Sequence, residues 1–195
     1  MIEDVSKGFL LVVSGPSGSG KGTVCNELMK AHKDVVFSIS ATTRAIRDGE
    51  VDGIHYQFLS EEDFLDKVEK GLFLEYANVH NNYYGTPYLP IKENIDKGNI
   101  ALLEIDVQGA MQVKENNIRG VYVFIAPPSM EELESRLIKR GTDSPEVIAR
   151  RMKNAIMEMD YISKYDYLIV NDSVEESVRA LESILFAEKH RVIGG

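Results

Sequence analysis

A glycine-rich segment near the start of the chain combines residue types that bind phosphate. Residues 15–23 read GPSGSGKGT and contain the pattern G-x-x-x-x-G-K. In such a loop, successive backbone N–H groups converge on a phosphate, and the lysine adds a positive charge. The apolar segment FLLVV precedes the loop and a helical segment, VCNELMKAH, follows it, which is the context that the motif requires. The predicted triphosphate contacts are Gly15, Ser17, Gly18, Ser19, Gly20, Lys21, Gly22 and Thr23.

The loop departs from the usual pattern at Gly22, where a serine or threonine hydroxyl normally contacts Mg²⁺. Thr23 offers a hydroxyl one residue later. We therefore expect either Thr23 or water molecules to take the place of that hydroxyl at a metal site. A triphosphate loop by itself is compatible with a motor protein, a GTPase or a small-molecule kinase.

A second group of phosphate-binding side chains follows in a segment rich in turn signals. Residues 38–58 contain Arg44 and Arg47, three positions apart, with hydroxyl groups nearby at Ser40 and Tyr56. Guanidinium groups bind a phosphate dianion through paired hydrogen bonds, and hydroxyl groups add further donors. This segment therefore predicts a site for a second phosphate.

Carboxylates come after this segment. Glu75 lies in FLEYANV, and Glu104 and Asp106 stand at the end of an apolar run. At the carboxyl end of a parallel strand, such side chains point into the ligand crevice. Two hydroxyl groups, of Tyr84 and Thr86 in NYYGTP, lie between Glu75 and Glu104 in the sequence.

A basic segment stands out in an acidic chain. The 195 residues carry a formal net charge of −9, yet residues 136–153 contain six Lys or Arg against two Asp or Glu. The overall charge argues against a general nucleic-acid binder, which usually presents basic surface. The basic segment is either a solvated helical face or a contact for a polyanion smaller than DNA.

Short apolar runs, continuous rather than alternating, indicate strands buried on both faces of a parallel sheet. Helical segments separate the runs, and Ser129, Ser144 and Ser173 each have the sequence context of a helix N-cap. We predict an α/β fold, a P-loop three-layer sandwich around a central parallel sheet. The short apolar runs that predict the strands of this sheet are residues 9–13, 35–39, 100–105, 121–125 and 167–170.

Two stretches interrupt the strand–helix alternation, and we expect them to form lobes of one domain of 195 residues. Residues from about 40 to 98 predict an inserted mixed α+β lobe with a helix near 61–70. Residues from about 130 to 164 predict a helical lid. No apolar run is long enough to span a membrane, and a single cysteine excludes an internal disulfide. The core is expected at about 1–39, 99–129 and 165–195.

Seven motifs occur in order along the chain: GPSGSGKGT, SATTRAIRDGEVDGIHYQF, NYYGTP, EIDVQG, FIAPPS, RLIKRGTD and IVND. Together they resemble the guanylate kinase family, from about Phe9 to Lys189. The resemblance implies a P-loop nucleoside-monophosphate kinase that catalyses ATP + GMP ⇌ ADP + GDP with Mg²⁺. It further implies ATP and GMP as ligands. The net charge and the short apolar runs predict no nucleic-acid polymer and no membrane as a partner, and the single cysteine fits a cytoplasmic location. The expected state is a monomer or a homo-oligomer.

The resemblance also implies how GMP is held. Its guanine would be read by Glu75, Thr86 and Asp106. Carboxylates accept hydrogen bonds and cannot donate, so they suit the N1–H and amino donors of guanine and repel the N1 lone pair of adenine. The GMP phosphate would be held by Ser40, Arg44, Arg47, Tyr56 and Tyr84.

For the ATP side, the resemblance implies a closing lid and an adenine contact at Asn171. The lid arginines would close over the triphosphate and stabilise the charge of the transferring group. The implied catalytic residues are Lys21, Arg44, Arg136, Arg140 and Arg151.

Two alternatives belong to different classes. A non-catalytic guanylate-kinase-like interaction module would be expected to have a degraded phosphate loop, whereas this chain keeps Gly15, Gly20 and Lys21. A kinase for AMP or for a pyrimidine monophosphate is disfavoured by the acceptors Glu75 and Asp106 and by the β-rich inserted lobe.

Overall fold

Nine strands and seven α-helices occur in the part of the chain that the computed structural model describes, residues 8–79, 81–116, 120–141 and 143–192. The ends of the predicted core, residues 1–7 and 193–195, lie outside this part. The strands are β1 (Phe9–Ser14), β2 (Val35–Phe37), β3 (Ala41–Thr42), β4 (Gln57–Phe58), β5 (Phe73–Val79), β6 (Asn82–Pro87), β7 (Ile100–Glu104), β8 (Gly120–Ala126) and β9 (Tyr167–Val170). The helices are α1 (Lys21–Ala31), α2 (Glu61–Glu69), α3 (Tyr88–Asp96), α4 (Val107–Lys114), α5 (Met130–Lys139), α6 (Pro145–Met159) and α7 (Val174–Lys189).

The central sheet contains five parallel strands in the order β2-β7-β1-β8-β9. Each of the five predicted apolar runs supplies one of them. In the middle strand, Leu11 and Val13 pack on the side of α1 and α7, whereas Leu10 and Val12 pack on the side of α3 and α4. Because helices cover both faces, the strand is apolar at every position rather than at alternate ones. The predicted three-layer sandwich is confirmed.

A second sheet, in the order β4-β3-β6-β5, forms the inserted lobe. β3 and β4 pair in parallel, and the other two pairs are antiparallel. α2 packs on this sheet through Phe64, whose ring stacks on Phe73 and Tyr83 at centroid distances of 4.4 and 5.4 Å. α3 falls within the segment predicted as lobe, but it packs Ile91 against the central sheet, so the chain returns to the core near residue 88.

α5 and α6 form the helical segment predicted as the lid, and they pack on each other through Leu133, Leu137 and Ala155. The predicted N-caps of α5, α6 and α7 are confirmed, because each serine Oγ accepts a hydrogen bond from the backbone N–H three residues later. No helix in the described part of the chain is both long and apolar enough to cross a membrane.

Candidate active site

The phosphate loop, residues 15–23, leads from the end of β1 into the first turn of α1. The first N–H groups of α1 have no partner within the helix and are available to an anion. Gly20 has a φ of 92°, and a Cβ built there would lie 2.3 Å from Asn171 Nδ2. Only glycine fits this position, because it adopts the left-handed conformation and leaves room for the neighbouring amide.

Asn171 supports this loop from the end of β9. Its Nδ2 donates to the carbonyl oxygen of Ser19 at 2.7 Å, and its Oδ1 accepts from Ser177 Oγ at 2.9 Å. The residue is 3% exposed. Both polar ends of the amide are therefore engaged within the protein and hold the shape of the loop. The contact with adenine that the resemblance implies stays a prediction.

Lys21 begins α1, and its side chain folds back over the loop. Nζ donates to the carbonyl oxygens of Gly15 at 2.6 Å and Pro16 at 3.1 Å. Burial lowers the pKa of Lys21, and the carboxylates of Glu104 and Glu158 act against that effect. The ammonium therefore lies at the loop, where it can act on phosphate oxygens as a point charge.

Two of the three predicted lid arginines contact the loop or its support. Arg151 Nη1 donates to Ser17 Oγ at 2.8 Å, and Arg136 Nη2 donates to the carbonyl oxygen of Asn171 at 3.1 Å. Arg140, which follows the last turn of α5, is exposed. The lid thus brings guanidinium groups to the side of the phosphate loop.

A cavity of about 220 Å³ lies between the end of β7 and the second sheet. Glu104 belongs to its wall and also lies beside the phosphate loop, since a Cβ on Gly22 would be 3.5 Å from Glu104 Oε2. The cavity and the loop are therefore neighbours. Five predicted GMP-site residues line the cavity, namely Ser40, Tyr56, Glu75, Tyr84 and Asp106.

Glu75 is the most buried acid of the cavity wall, and Thr86 lies behind it, with its Oγ1 donating to Glu75 Oε1 at 2.6 Å. Burial raises the pKa of Glu75 to about 7; the Thr86 hydrogen bond acts against this rise, and the nearby Asp106 adds to it. Asp106 caps α4 and accepts from the N–H of Gly109 at 2.8 Å. The wall thus presents two carboxyl groups held in place by hydrogen bonds.

Arg44 is paired with a carboxylate that the sequence analysis missed. Nη1 and Nη2 donate to the two carboxylate oxygens of Glu50 at 3.1 and 2.8 Å, and the guanidinium lies 5.5 Å from the ring centroid of Tyr56. The backbone N–H of Arg47 also donates to Glu50, at 2.8 Å, while the side chain of Arg47 is exposed. Glu50 could have been found from its position three residues after Arg47, which suits a turn closed by a side chain.

The side chain of Thr23 lies on a different side of α1 from position 22. Position 22 faces Glu104, whereas Thr23 lines a separate groove with Asn26 and Glu27 on the outer face of α1. Successive helical residues differ by 100° in direction, which accounts for the difference. This placement does not favour Thr23 as a metal ligand. Within the described ranges, no group of three or more His, Cys, Asp or Glu could hold a metal ion by itself.

The fold and the site define a P-loop α/β protein with a triphosphate loop, an arginine-bearing lid and an adjacent acidic cavity, which is the architecture of the nucleoside-monophosphate kinases. The sequence matches the protein-family model for guanylate kinase over residues 7–188. The chain belongs to the guanylate kinase family.

Individual relatives are similar over nearly their whole length. A guanylate kinase from Clostridium tetani (strain Massachusetts / E88) is 53% identical over 188 residues, covering 96% of this chain and 90% of that relative. One from Clostridium perfringens (strain 13 / Type A) is 52% identical over 187 residues, covering 96% and 87%. The crystal structure of guanylate kinase from Anaplasma phagocytophilum matches with a TM-score of 0.78 at 39% identity, covering 96% of this chain and 89% of that one.

Proposed function

We propose that this protein catalyses ATP + GMP ⇌ ADP + GDP. The observation that carries the proposal is the acidic cavity directly beside the phosphate loop, with Glu104 common to both. A triphosphate in the loop and a monophosphate in the cavity would be neighbours, as direct phosphoryl transfer requires. The relatives named guanylate kinase support the same reaction.

Guanine is selected by hydrogen-bond acceptors in the wall of the cavity. Glu75 and Asp106 accept from N1–H and the exocyclic amino group, and Thr86 holds Glu75 in place through its 2.6 Å hydrogen bond. Adenine would bring a lone pair at N1 towards these oxygens, leaving buried acceptors unpaired. Because the free Glu75 carboxyl has a pKa of about 7, the donors of guanine also favour its ionised form.

The phosphate of GMP is held at the other side of the same cavity wall. Ser40, Tyr56 and Tyr84 supply hydroxyl donors from the wall, and Arg44 approaches over the Tyr56 ring. The exposed side chain of Arg47 completes the set by turning towards the phosphate.

Transfer is driven by alignment and by positive charge. Lys21 binds the phosphates of ATP in the loop, and Arg44 acts on the GMP side. Arg136, Arg140 and Arg151 stabilise the negative charge that spreads over the equatorial oxygens of the moving phosphoryl group. The attacking GMP phosphate is already largely ionised at neutral pH, so no general base is required. Closure of the lid and the lobe excludes water from the reacting groups.

Mg²⁺ is the metal ion that ATP would bring to this site. The residues fit such an ion, because the partly buried carboxylate of Glu104 beside Gly22 is the hard oxygen donor that Mg²⁺ prefers. When bound, the ion neutralises phosphate charge. Since Gly22 has no hydroxyl, Glu104, water molecules and the phosphates of ATP would hold the ion, with the Thr23 hydroxyl as the alternative.

Asn171 holds the phosphate loop through Ser19 and offers its remaining amide hydrogen to adenine.

We place the reaction in the cytoplasm, where ATP is available and the buried thiol of Cys25 stays reduced. The non-catalytic interaction module has no observation in its favour, because the loop, Lys21 and the lid arginines are all retained.

The test is a coupled assay of ADP release with ATP, Mg²⁺ and a panel of monophosphates: GMP, IMP, AMP, CMP and UMP. We expect strong turnover with GMP only. Equal turnover with AMP would contradict the guanine assignment. The absence of turnover with every monophosphate, in a protein that is folded by circular dichroism, would support the interaction module instead.

A further inference from the structure

The strand that carries Glu75 is an edge strand. β5 is the last strand of the sheet β4-β3-β6-β5, so its outer backbone groups have no strand partner. The carbonyl of residue i and the N–H of residue i+2 point to the same side of a strand. Leu74 and Tyr76, which flank Glu75 on either side, therefore direct a carbonyl and an N–H towards the same outer edge.

Two side-chain amides of α4 and its C-terminal flank bind these backbone groups. Gln112 Oε1 accepts from the N–H of Tyr76 at 3.2 Å, and Asn116 Nδ2 donates to the carbonyl oxygen of Leu74 at 2.8 Å. Positions 112 and 116 are one helical turn apart and so lie on one face. The edge of β5 is thus closed by amides rather than by another strand, at the two residues on either side of Glu75.

Gly109 lies one turn before Gln112 and approaches Glu75 itself. A Cβ on Gly109 would be 2.9 Å from Glu75 Oε2, so any larger residue there would require the Glu75 carboxylate to move. The pairing of β5 with β6 shifts register between Phe73 and Glu75, and such an irregularity re-aims the side chain beside it. The irregular part of β5 therefore lies against α4 at Glu75, the acid that this strand contributes to the cavity.

We propose that Gln112 and Asn116 are positioning residues for guanine recognition, because they fix Glu75 relative to Asp106. Asp106 caps the same helix, so both acceptors of the cavity are tied to one rigid element. The proposal rests on the proposed function and adds to it the residues that set the spacing of the guanine acceptors. Neither Gln112 nor Asn116 is among the residues that line the cavity.

The amides act through Glu75 alone, which gives the proposal a specific kinetic signature. Removing both would let β5 shift along α4 and would loosen the hydrogen bonds to guanine. We expect the Gln112→Ala, Asn116→Ala double variant to raise the KM for GMP about tenfold, as the loss of one to two hydrogen bonds would. The kcat at saturating GMP and the KM for ATP should stay within about twofold of the unchanged protein, since the loop and the lid are untouched.

The preference for GMP over IMP supplies a second measurement. Hypoxanthine keeps N1–H and lacks the amino group, so the ratio of kcat/KM for the two nucleotides reports how well both acceptors are aligned. We expect this ratio to fall in the double variant. Glu115→Ala is the control, because Glu115 is exposed and lies between Gln112 and Asn116 in the sequence. It should leave the KM for GMP and the GMP/IMP ratio unchanged.

Two near-isosteric variants separate positioning from general support of the helix. Gln112→Glu keeps an oxygen that accepts from Tyr76, whereas Asn116→Asp places an acceptor against the carbonyl of Leu74. We expect the first to retain the GMP KM within about threefold and the second to raise it by about as much as Asn116→Ala. These single variants also test the positioning role if the double variant does not fold.

An unchanged GMP KM and GMP/IMP ratio in folded Asn116→Ala and Asn116→Asp would overturn the inference. An equal fall of kcat with every nucleotide, together with a raised KM for ATP, would overturn it as well, because it would indicate a general structural role. Failure of the proposed function is distinguishable from both, since the unchanged protein would then show no turnover of GMP at all.

Discussion

Arg44 and Glu50 form a bidentate ion pair, with Nη2 and Nη1 at 2.8 and 3.1 Å from the two carboxylate oxygens. The arginine lowers the pKa of Glu50, which is thereby held in its ionised form. The same carboxylate accepts from the N–H of Arg47, so it closes the loop that carries both arginines proposed to bind the GMP phosphate. The direction of Arg44 is set before GMP arrives, and this reduces the ordering that binding requires.

Glu50→Gln tests this relationship. The neutral amide cannot accept from both guanidinium nitrogens, so Arg44 would sample other rotamers in the free protein. We expect the KM for GMP to rise severalfold with little change in kcat at saturating GMP, measured by the ADP-release assay. Asp48→Asn is the matched control, because Asp48 is an exposed acid of the same loop. An equal effect of the two substitutions would mean that the net charge of the loop, rather than the ion pair, is responsible.

Lys21→Ala removes the only side-chain cation that lies within the phosphate loop itself in the described structure. We expect kcat to fall by about 10² to 10³ or more, the scale typical for losing one group that stabilises the transferred charge. Circular dichroism should stay unchanged, since the residue contributes no apolar packing to the core clusters.

Lys30→Ala, an exposed lysine near the end of the same helix, is the control for Lys21 and should keep full activity. Retention of activity in Lys21→Ala would contradict the role of this lysine and, with it, the assignment of residues 15–23 as the triphosphate loop.

The features that could be predicted from the sequence depend on short-range patterns. The continuous apolar run of β1 requires cover on both faces, which the structure supplies with helices on each side. The caps at Ser129, Ser144 and Ser173 involve partners only three residues away. The phosphate loop likewise follows from the spacing of its glycines and Lys21 between a strand and a helix.

The features that could not be predicted depend on partners far apart in the sequence. Asn171 lies 152 positions from the carbonyl of Ser19 that it binds, and no local signal connects them. The contact between Asn116 and Leu74 spans 42 positions and exists only because β5 is an edge strand. The side chain of Thr23 lines a groove away from Glu104, because adjacent residues of a helix face different directions. Its expected role at a metal, as an alternative to water, stays a prediction.

Asn171→Ala tests the support of the phosphate loop. The change leaves the carbonyl of Ser19 and the hydroxyl of Ser177 without their buried partners, which typically lowers the free energy of unfolding by about 1–3 kcal/mol. We expect that loss in urea unfolding, together with a higher KM for ATP and an unchanged KM for GMP. Asp172→Ala, at the exposed neighbouring position, should change neither. A raised KM for ATP without any loss of stability would contradict the supporting role and leave only the proposed contact of Asn171 with adenine.

Glu75 links guanine recognition to pH. Its pKa in the folded protein is about 7, against 4.5 for an unperturbed glutamate. Between these values the folded state keeps a proton that the unfolded state has released, so the contribution of this group to the free energy of unfolding falls as pH rises from 4.5 to about 7. Ionisation in the same range would provide the acceptor that the proposed guanine contact needs, so we expect GMP binding to strengthen as this contribution to stability declines.

Glu75→Gln removes this titration, and two pH profiles therefore test it. The stability of the variant relative to the unchanged protein should increase between about pH 5 and pH 8, measured by urea unfolding. The KM for GMP of the unchanged protein should fall over this range more steeply than that of the variant, which retains only the titration of the GMP phosphate near pKa 6.

We also expect Glu75→Gln to lower the preference for GMP over AMP by at least about tenfold, since one acceptor becomes a donor. Parallel KM profiles would show that Glu75 does not titrate on binding, and an unchanged GMP/AMP preference would remove it from the guanine site.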